Sequence, residues 1–125
     1  MRRFAPDYLL IHPMGMDYHG ESCGSDSSEY RNHAIKQDAM LAPLILEWKE
    51  RGYTILVTGD HGINKDGAHG GTTPEQREVP LFLIRPDGQG RGDTSEMVSE
   101  LQIAPTILSL LDIPIPATMK HSSIV

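Results

Sequence analysis

The fold class this 125-residue sequence predicts is a layered α/β/α domain with a mostly parallel sheet, and three observations predict it. Short apolar runs at Tyr8 to His12, Tyr53 to Thr58 and Val79 to Ile84 read as buried strands. An amphipathic segment and polar, glycine-rich loops separate them, giving the order strand, helix, strand, loop, strand, helix, which suits crossover connections. The polar clusters follow the apolar runs, and in such sheets chemistry gathers beyond the carboxyl ends of the strands.

The first run, Tyr8-Leu9-Leu10-Ile11-His12, lies between Pro6 and Pro13 and is expected as a strand buried on both faces. A loop rich in Gly, Asp, Ser and His follows. Ile35, Ala39, Ala42 and Leu46, widened by Leu41, Ile45 and Trp48, repeat at the spacing of one helical face. Asp26 or a nearby serine is the expected N-cap, with Glu29 completing a capping box, and Gly52 is a natural stop. Pro43 interrupts this pattern, so a kink or break is expected there.

Tyr53 to Thr58 is dense in β-branched and apolar residues and runs into Gly59-Asp60-His61-Gly62. After a polar loop through Gly71, Val79 to Ile84 reads as a third strand with Pro80 at its beginning, because proline cannot donate to the ladder. Asp87 to Asp93 reads as turn. One helix is expected from Thr94 or Ser95, and another with Pro105 in its first turn, stopped by Pro114 and Pro116.

With 38% hydrophobic and 22% charged residues, the composition is that of a soluble globular chain, and 1–125 is read as a single domain. The net charge of -6 argues against a basic surface tracking a nucleic acid duplex, while a small anionic substrate stays compatible if cations invert the local field. The single cysteine, Cys23, forms no intrachain disulfide and so slightly favours the cytoplasm, although localisation stays open. Behind Met1, Arg2 and Arg3, the apolar run is too short for a signal-peptide core or a membrane span, and no membrane partner is expected.

Three groups of donors follow the apolar runs: Asp17 with Glu21, Asp60 with His61, and His69 before Gly70 and Gly71. Carboxylate oxygen with imidazole nitrogen suits zinc or manganese, and two such ions about 3.5–4 Å apart clamp the attacking and leaving oxygens of a phosphoryl transfer. Taken pair by pair, solvated loop residues look the same.

The wider context separates these readings. Thr58-Gly59-Asp60-His61-Gly62, then His69-Gly70-Gly71, then Glu78-Val79-Pro80-Leu81-Phe82, resembles the alkaline phosphatase superfamily and within it the type I phosphodiesterase and nucleotide pyrophosphatase family. Leu101-Gln102-Ile103-Ala104-Pro105-Thr106-Ile107-Leu108 is similar to the superfamily's closing helix. The resemblance implies an alkaline-phosphatase-like partial domain, the C-terminal portion of the catalytic domain, with two divalent metal ions. It places Asp17, Glu21 and His69 on one metal and Asp60 with His61 on the other. Glu21 stands where the family has histidine, and that exchange favours harder cations such as manganese or magnesium over zinc.

The implied activity is hydrolysis of phosphodiester or pyrophosphate bonds in a small phosphate-containing substrate such as a nucleotide. No Ser or Thr here sits in the family's nucleophile motif, so no catalytic residue is assigned, and the chain alone is expected to have little or no activity. Phosphomonoesterase and cofactor-independent phosphoglycerate mutase activities are the nearest neighbours. The competing reading is a non-catalytic half-domain that binds a metal or a partner. Half a sheet exposes apolar surface and a strand edge, so a homo-oligomer or pairing with a missing N-terminal half is expected. His12, before Pro13, reads as a structural histidine rather than a ligand, and His19 as a less favoured substitute for the missing imidazole. His33 and His121 read as solvated, and Asn64, Lys65 and Asp66 as pocket lining or simple loop.

Overall fold

The computed structural model describes residues 3–125; Met1 and Arg2 of the basic start lie outside the described residues. The chain divides into two compact units, residues 11–89 and, separately, residues 90–125 with the segment up to Leu10.

The 11–89 unit contains helix α1 (Gly15–Cys23), helix α2 (Ser28–Glu50), strand β1 (Ile55–Thr58), a short helix α3 (Pro74–Arg77) and strand β2 (Leu81–Ile84). Helix α1 occupies the segment expected to be loop. No side chain caps its start, so packing on α2 sustains it rather than local propensity. Gly20 is buried at this contact, and a Cβ there would meet Ile63 Cδ1 at 2.7 Å and Tyr30 Cε2 at 3.1 Å.

The corner between the helices is set by Gly24 and Ser27. Gly24 has φ +76° and ψ 157°, a region essentially reserved for glycine. Its N–H donates to Gly20 O at 2.8 Å. The N-cap of α2 is Ser27, whose Oγ accepts the Tyr30 N–H at 3.1 Å and donates to Gly24 O at 2.8 Å. Tyr30 rather than Glu29 therefore lies three residues after the cap, and Glu29 forms no capping box with Asp26.

Helix α2 continues through Pro43, which removes one backbone bond to Ala39, because enough turns flank it on both sides. It ends at a Schellman motif, where Gly52 N–H donates to Lys49 O and Tyr53 N–H to Trp48 O, both at 3.0 Å, with Gly52 at φ +86°.

Strands β1 and β2 pair antiparallel in a two-stranded sheet, with Ile55 opposite Ile84 and Thr58 opposite Leu81. This pair departs from the parallel arrangement the element order predicts. A parallel return requires a crossover over the sheet face, whereas the connection here holds only the four-residue α3 and folds back on its own loop, Gly62 N–H donating to Gln76 O at 3.0 Å. The Tyr8 to His12 run forms no strand, and Leu10 is 74% exposed. Apolar composition alone does not make a strand, and no ladder among the described residues receives this run.

In the other unit, the helix expected from Thr94 is absent up to Ser99. Ser95 has φ +53°, and Asp93 Oδ1 accepts its N–H at 2.8 Å, a local turn that competes with helix. A 3₁₀ turn (Glu100–Gln102) starts at a capping box between Ser99 and Gln102 and leads into helix α4 (Ile103–Leu110), with Pro105 in its first turn. Thr106, fully buried, donates to Gln102 O at 2.6 Å and accepts Ile124 N–H at 3.0 Å, which ties the C-terminal tail to α4. Thr106→Val strands that N–H and is expected to cost about 1–3 kcal/mol. Faster hydrogen exchange at Ile124 is the check, and unchanged protection would refute it. Among the described residues no helix is long and apolar enough to cross a membrane.

Candidate metal centre

Helix α1 places Asp17 and Glu21 one turn apart, on the same face. Strand β1 delivers Asp60 and His61 two and three residues past its last residue, Thr58. The following loop turns on Asn64, whose side-chain oxygen accepts the N–H groups of Asp66 at 3.0 Å and Ala68 at 2.8 Å. Gln76, buried, then fixes the residue before His69: its Nε2 donates to Ala68 O at 3.1 Å, and its Oε1 accepts Thr73 Oγ1–H at 3.0 Å.

These elements bring Asp17, His61 and His69 together, with one donor atom from each within 4.8 Å of the others. The His61 and His69 rings stack with centroids 4.4 Å apart. His69 Nε2 is 2.8 Å from Glu21 Oε1. The resemblance separates His61 from Asp17 and His69, whereas here His61 stands in their group. Asp60 stands beside it, its Oδ1 accepting the His61 backbone N–H at 3.1 Å and its Oδ2 lying 3.8 Å from His61 Nε2.

The donor chemistry of this group fits a cation. Asp17 Oδ1 is buried without a hydrogen-bond partner, and His61 Nε2 lies 3.6 Å from it. His61 Nδ1 is 3.1 Å from Gly62 O, an acceptor, so Nδ1 carries the hydrogen, and in the neutral ring Nε2 presents its lone pair. An orphaned carboxylate oxygen thus faces an imidazole lone pair with no donor between them, an arrangement a divalent ion satisfies. Burial, and then the charge of Asp17, also raise the Tyr30 phenol above its ordinary pKa.

The hydrogen bond to Glu21 raises the His69 pKa above its ordinary value; desolvation opposes this, and the charges of Asp17, Glu21 and Asp60 add to it. In the metal-free chain the protonated His69 pairing therefore contributes stability below the unfolded value and loses it as pH rises through the raised folded one. A cation needs His69 deprotonated, so metal stabilisation runs the other way and is expected to grow as pH rises through that same window. Thermal unfolding with and without metal from pH 6 to pH 8 checks the sign; a metal effect that shrinks over this range would contradict it.

His19 is not among the three residues that group here. Its ring lies 4.1 Å from that of His33, on the α2 side, and His33 is half-buried rather than solvated. Desolvation first, then His19 and Lys36, lower the His33 pKa. Asn64, Lys65 and Asp66 line a separate depression with Ser25, Asp26, Thr73 and Glu75. His121 is exposed. Sequence reasoning gave His12 a structural role without naming Asp60, whose Oδ2 lies 3.4 Å from its Nε2; the His12 side chain is 58% exposed. Sequence reasoning missed Gln76, for which a lone glutamine in a polar stretch gives no signal.

The sequence model of the type I phosphodiesterase / nucleotide pyrophosphatase family matches residues 2–67, just over half the chain. GPI ethanolamine phosphate transferase 2 of Candida albicans is 30% identical over 121 residues, covering 88% of this chain and 14% of that protein. The catalytic subunit of GPI ethanolamine phosphate transferase 3 of Homo sapiens is 29% identical, covering 88% and 10%. A 2,3-bisphosphoglycerate-independent phosphoglycerate mutase of Haloquadratum walsbyi is 34% identical over 125 residues, covering 96% and 24%. The chain thus spans between a tenth and a quarter of the length of these relatives. No solved structure matches. With its Asp-His-Gly and His-Gly-Gly motifs, this chain belongs to the type I phosphodiesterase / nucleotide pyrophosphatase family of the alkaline phosphatase superfamily.

Proposed function

We propose that the chain is the metal-holding portion of a phosphoryl-transfer site acting on phosphodiester or pyrophosphate bonds in a small phosphate-containing substrate such as a nucleotide. The observation that carries this reading is the buried, unpartnered Asp17 Oδ1 facing His61 Nε2, with His69 in the same group. Asp17, Glu21, Asp60, His61 and His69 would hold two divalent cations, with zinc or manganese favoured by the oxygen and nitrogen donors. Such a pair, when bound, supplies electrostatic stabilisation of the oxygens of the transferring group. The chain's own residues fix the donors: the Asn64 turn and Gln76 hold the His69 loop, and the Gly62 carbonyl sets the His61 tautomer.

In this proposal residues 1–125 are the C-terminal portion of a layered α/β/α catalytic domain. The antiparallel β2 is then an edge strand of an otherwise mostly parallel sheet. The nucleophile comes from outside this chain, and neither a membrane nor a nucleic acid duplex takes part. Hydrolysis and transfer differ in the acceptor, water or a hydroxyl, and relatives named as transferases and as a mutase keep both within the reading. Incubation with bis(p-nitrophenyl) phosphate and manganese or zinc tests the division of labour. Metal binding with little or no turnover is expected, and full turnover by this chain would overturn it.

Glu21 sets the metal preference. Glu21→His is expected to move relative affinity toward zinc and away from manganese, as read by competitive titration, and an unchanged ratio would contradict this. The competing reading, a half-domain that binds a metal or a partner without catalysis, is favoured by apolar surface: on α2, Ile35 and Leu46 are 62% and 63% exposed, and on β2, Phe82 is 56% exposed. Pairing with a second copy or with an N-terminal half would cover that surface. A monodisperse monomer in sedimentation experiments would count against it.

A further inference from the structure

We propose that His12 is a positioning residue for Asp60, holding its carboxylate oriented toward the cation site beside His61; this rests on the metal reading above. Asp60 Oδ1 is fixed by the backbone N–H of its own neighbour His61, at 3.1 Å. Its Oδ2 has no such anchor and lies between two imidazoles, with His12 Nε2 at 3.4 Å and His61 Nε2 at 3.8 Å. In its neutral form His61 does not orient that oxygen, because its Nδ1 donates to Gly62 O and its Nε2 presents a lone pair. With a proton on Nε2, His12 can donate to that oxygen across 3.4 Å and so bias which way the Asp60 carboxylate turns.

Two features make this a matter of positioning rather than of stability. The side chains of His12 and Asp60 are 58% and 62% exposed, and pairs so exposed contribute little to folding. His12 also directly precedes Pro13, which restricts the backbone at residue 12 and limits the directions its ring takes. Partners that orient a metal-binding carboxylate are worth about 10–100-fold in metal affinity.

The test is isothermal titration of manganese and of zinc into the 125-residue chain, comparing wild type with His12→Ala, His12→Gln and Asp60→Ala, together with metal-free melting curves. The expected result is a roughly 10–100-fold loss of affinity in His12→Ala. His12→Gln, which keeps an N–H donor at similar reach, should recover most of it, and the metal-free melting temperature should be unchanged in both. A His12→Ala chain that binds as wild type does, while Asp60→Ala loses affinity, would overturn the role of His12 and leave the metal reading standing. Failure of His12→Gln to restore affinity would also overturn it. No binding by wild type would bring down the metal reading and this inference with it, and unchanged binding in Asp60→Ala would take Asp60 out of the site and overturn the inference alone.

Discussion

Asp17→Ala is expected to act in opposite directions with and without metal. In a chelator the variant should melt at or above the wild-type temperature, because it removes a buried carboxylate oxygen that has no hydrogen-bond partner. With manganese or zinc at a hundredfold over Kd, the wild type should gain about 2.7 kcal/mol. For a domain of this size that is a rise of roughly 10–20 °C, and the variant should lose it. A variant that only misfolds would melt lower in both conditions. The crossing of the two effects, followed by thermal unfolding, is therefore the signature, and equal destabilisation in chelator and in metal would refute the account of Asp17.

Gly24→Ala is the second large effect expected. The backbone there combines φ +76° with ψ 157°, a conformation that costs a non-glycine residue about 1–3 kcal/mol. An added Cβ would also collide with the backbone carbonyl oxygen of Lys65, which cannot swing away as a side-chain end does. Together these predict a loss of at least about 2 kcal/mol in the 11–89 unit. The residue accepts no metal, yet its neighbour Ser25 donates its N–H to Asn64 O at 3.1 Å, at the root of the loop carrying His69. Metal affinity should therefore fall along with stability. Denaturant unfolding and titration of the same sample check both, and wild-type stability would contradict the argument.

The donors of the candidate site were legible because their chemistry is local. Aspartate, glutamate and histidine among glycines single out Asp17, Glu21, Asp60, His61 and His69 as candidates from residue type, and the resemblance to the family is what makes them expected ligands. Their grouping was not legible. It depends on α1, which the sequence disguises as loop because its two glycines and His19 carry little helical propensity and its support is packing against α2. Helix α2 was visible from its periodicity and α4 from Pro105 and its apolar face, because both signals are internal to the segment.

Strand pairing was the least legible part. Whether Val79 to Ile84 returns parallel or antiparallel is decided by what the connection packs on, and the buried Gln76 that folds it back gives no pattern in the sequence. The same applies to His12. Its position after an apolar run suggested a structural residue, and the 3.4 Å approach to Asp60 on which the proposed positioning role rests is set by the fold.

A preorganised cation site formed by Asp17, His61 and His69 is tested most directly by calorimetric titration of the wild-type chain with manganese and zinc at pH 8. Saturable binding that releases protons, weakens at pH 6, and is lost in both Asp17→Ala and His69→Ala is the expected result. Absence of binding by the wild-type chain, or binding that survives both substitutions, would contradict it.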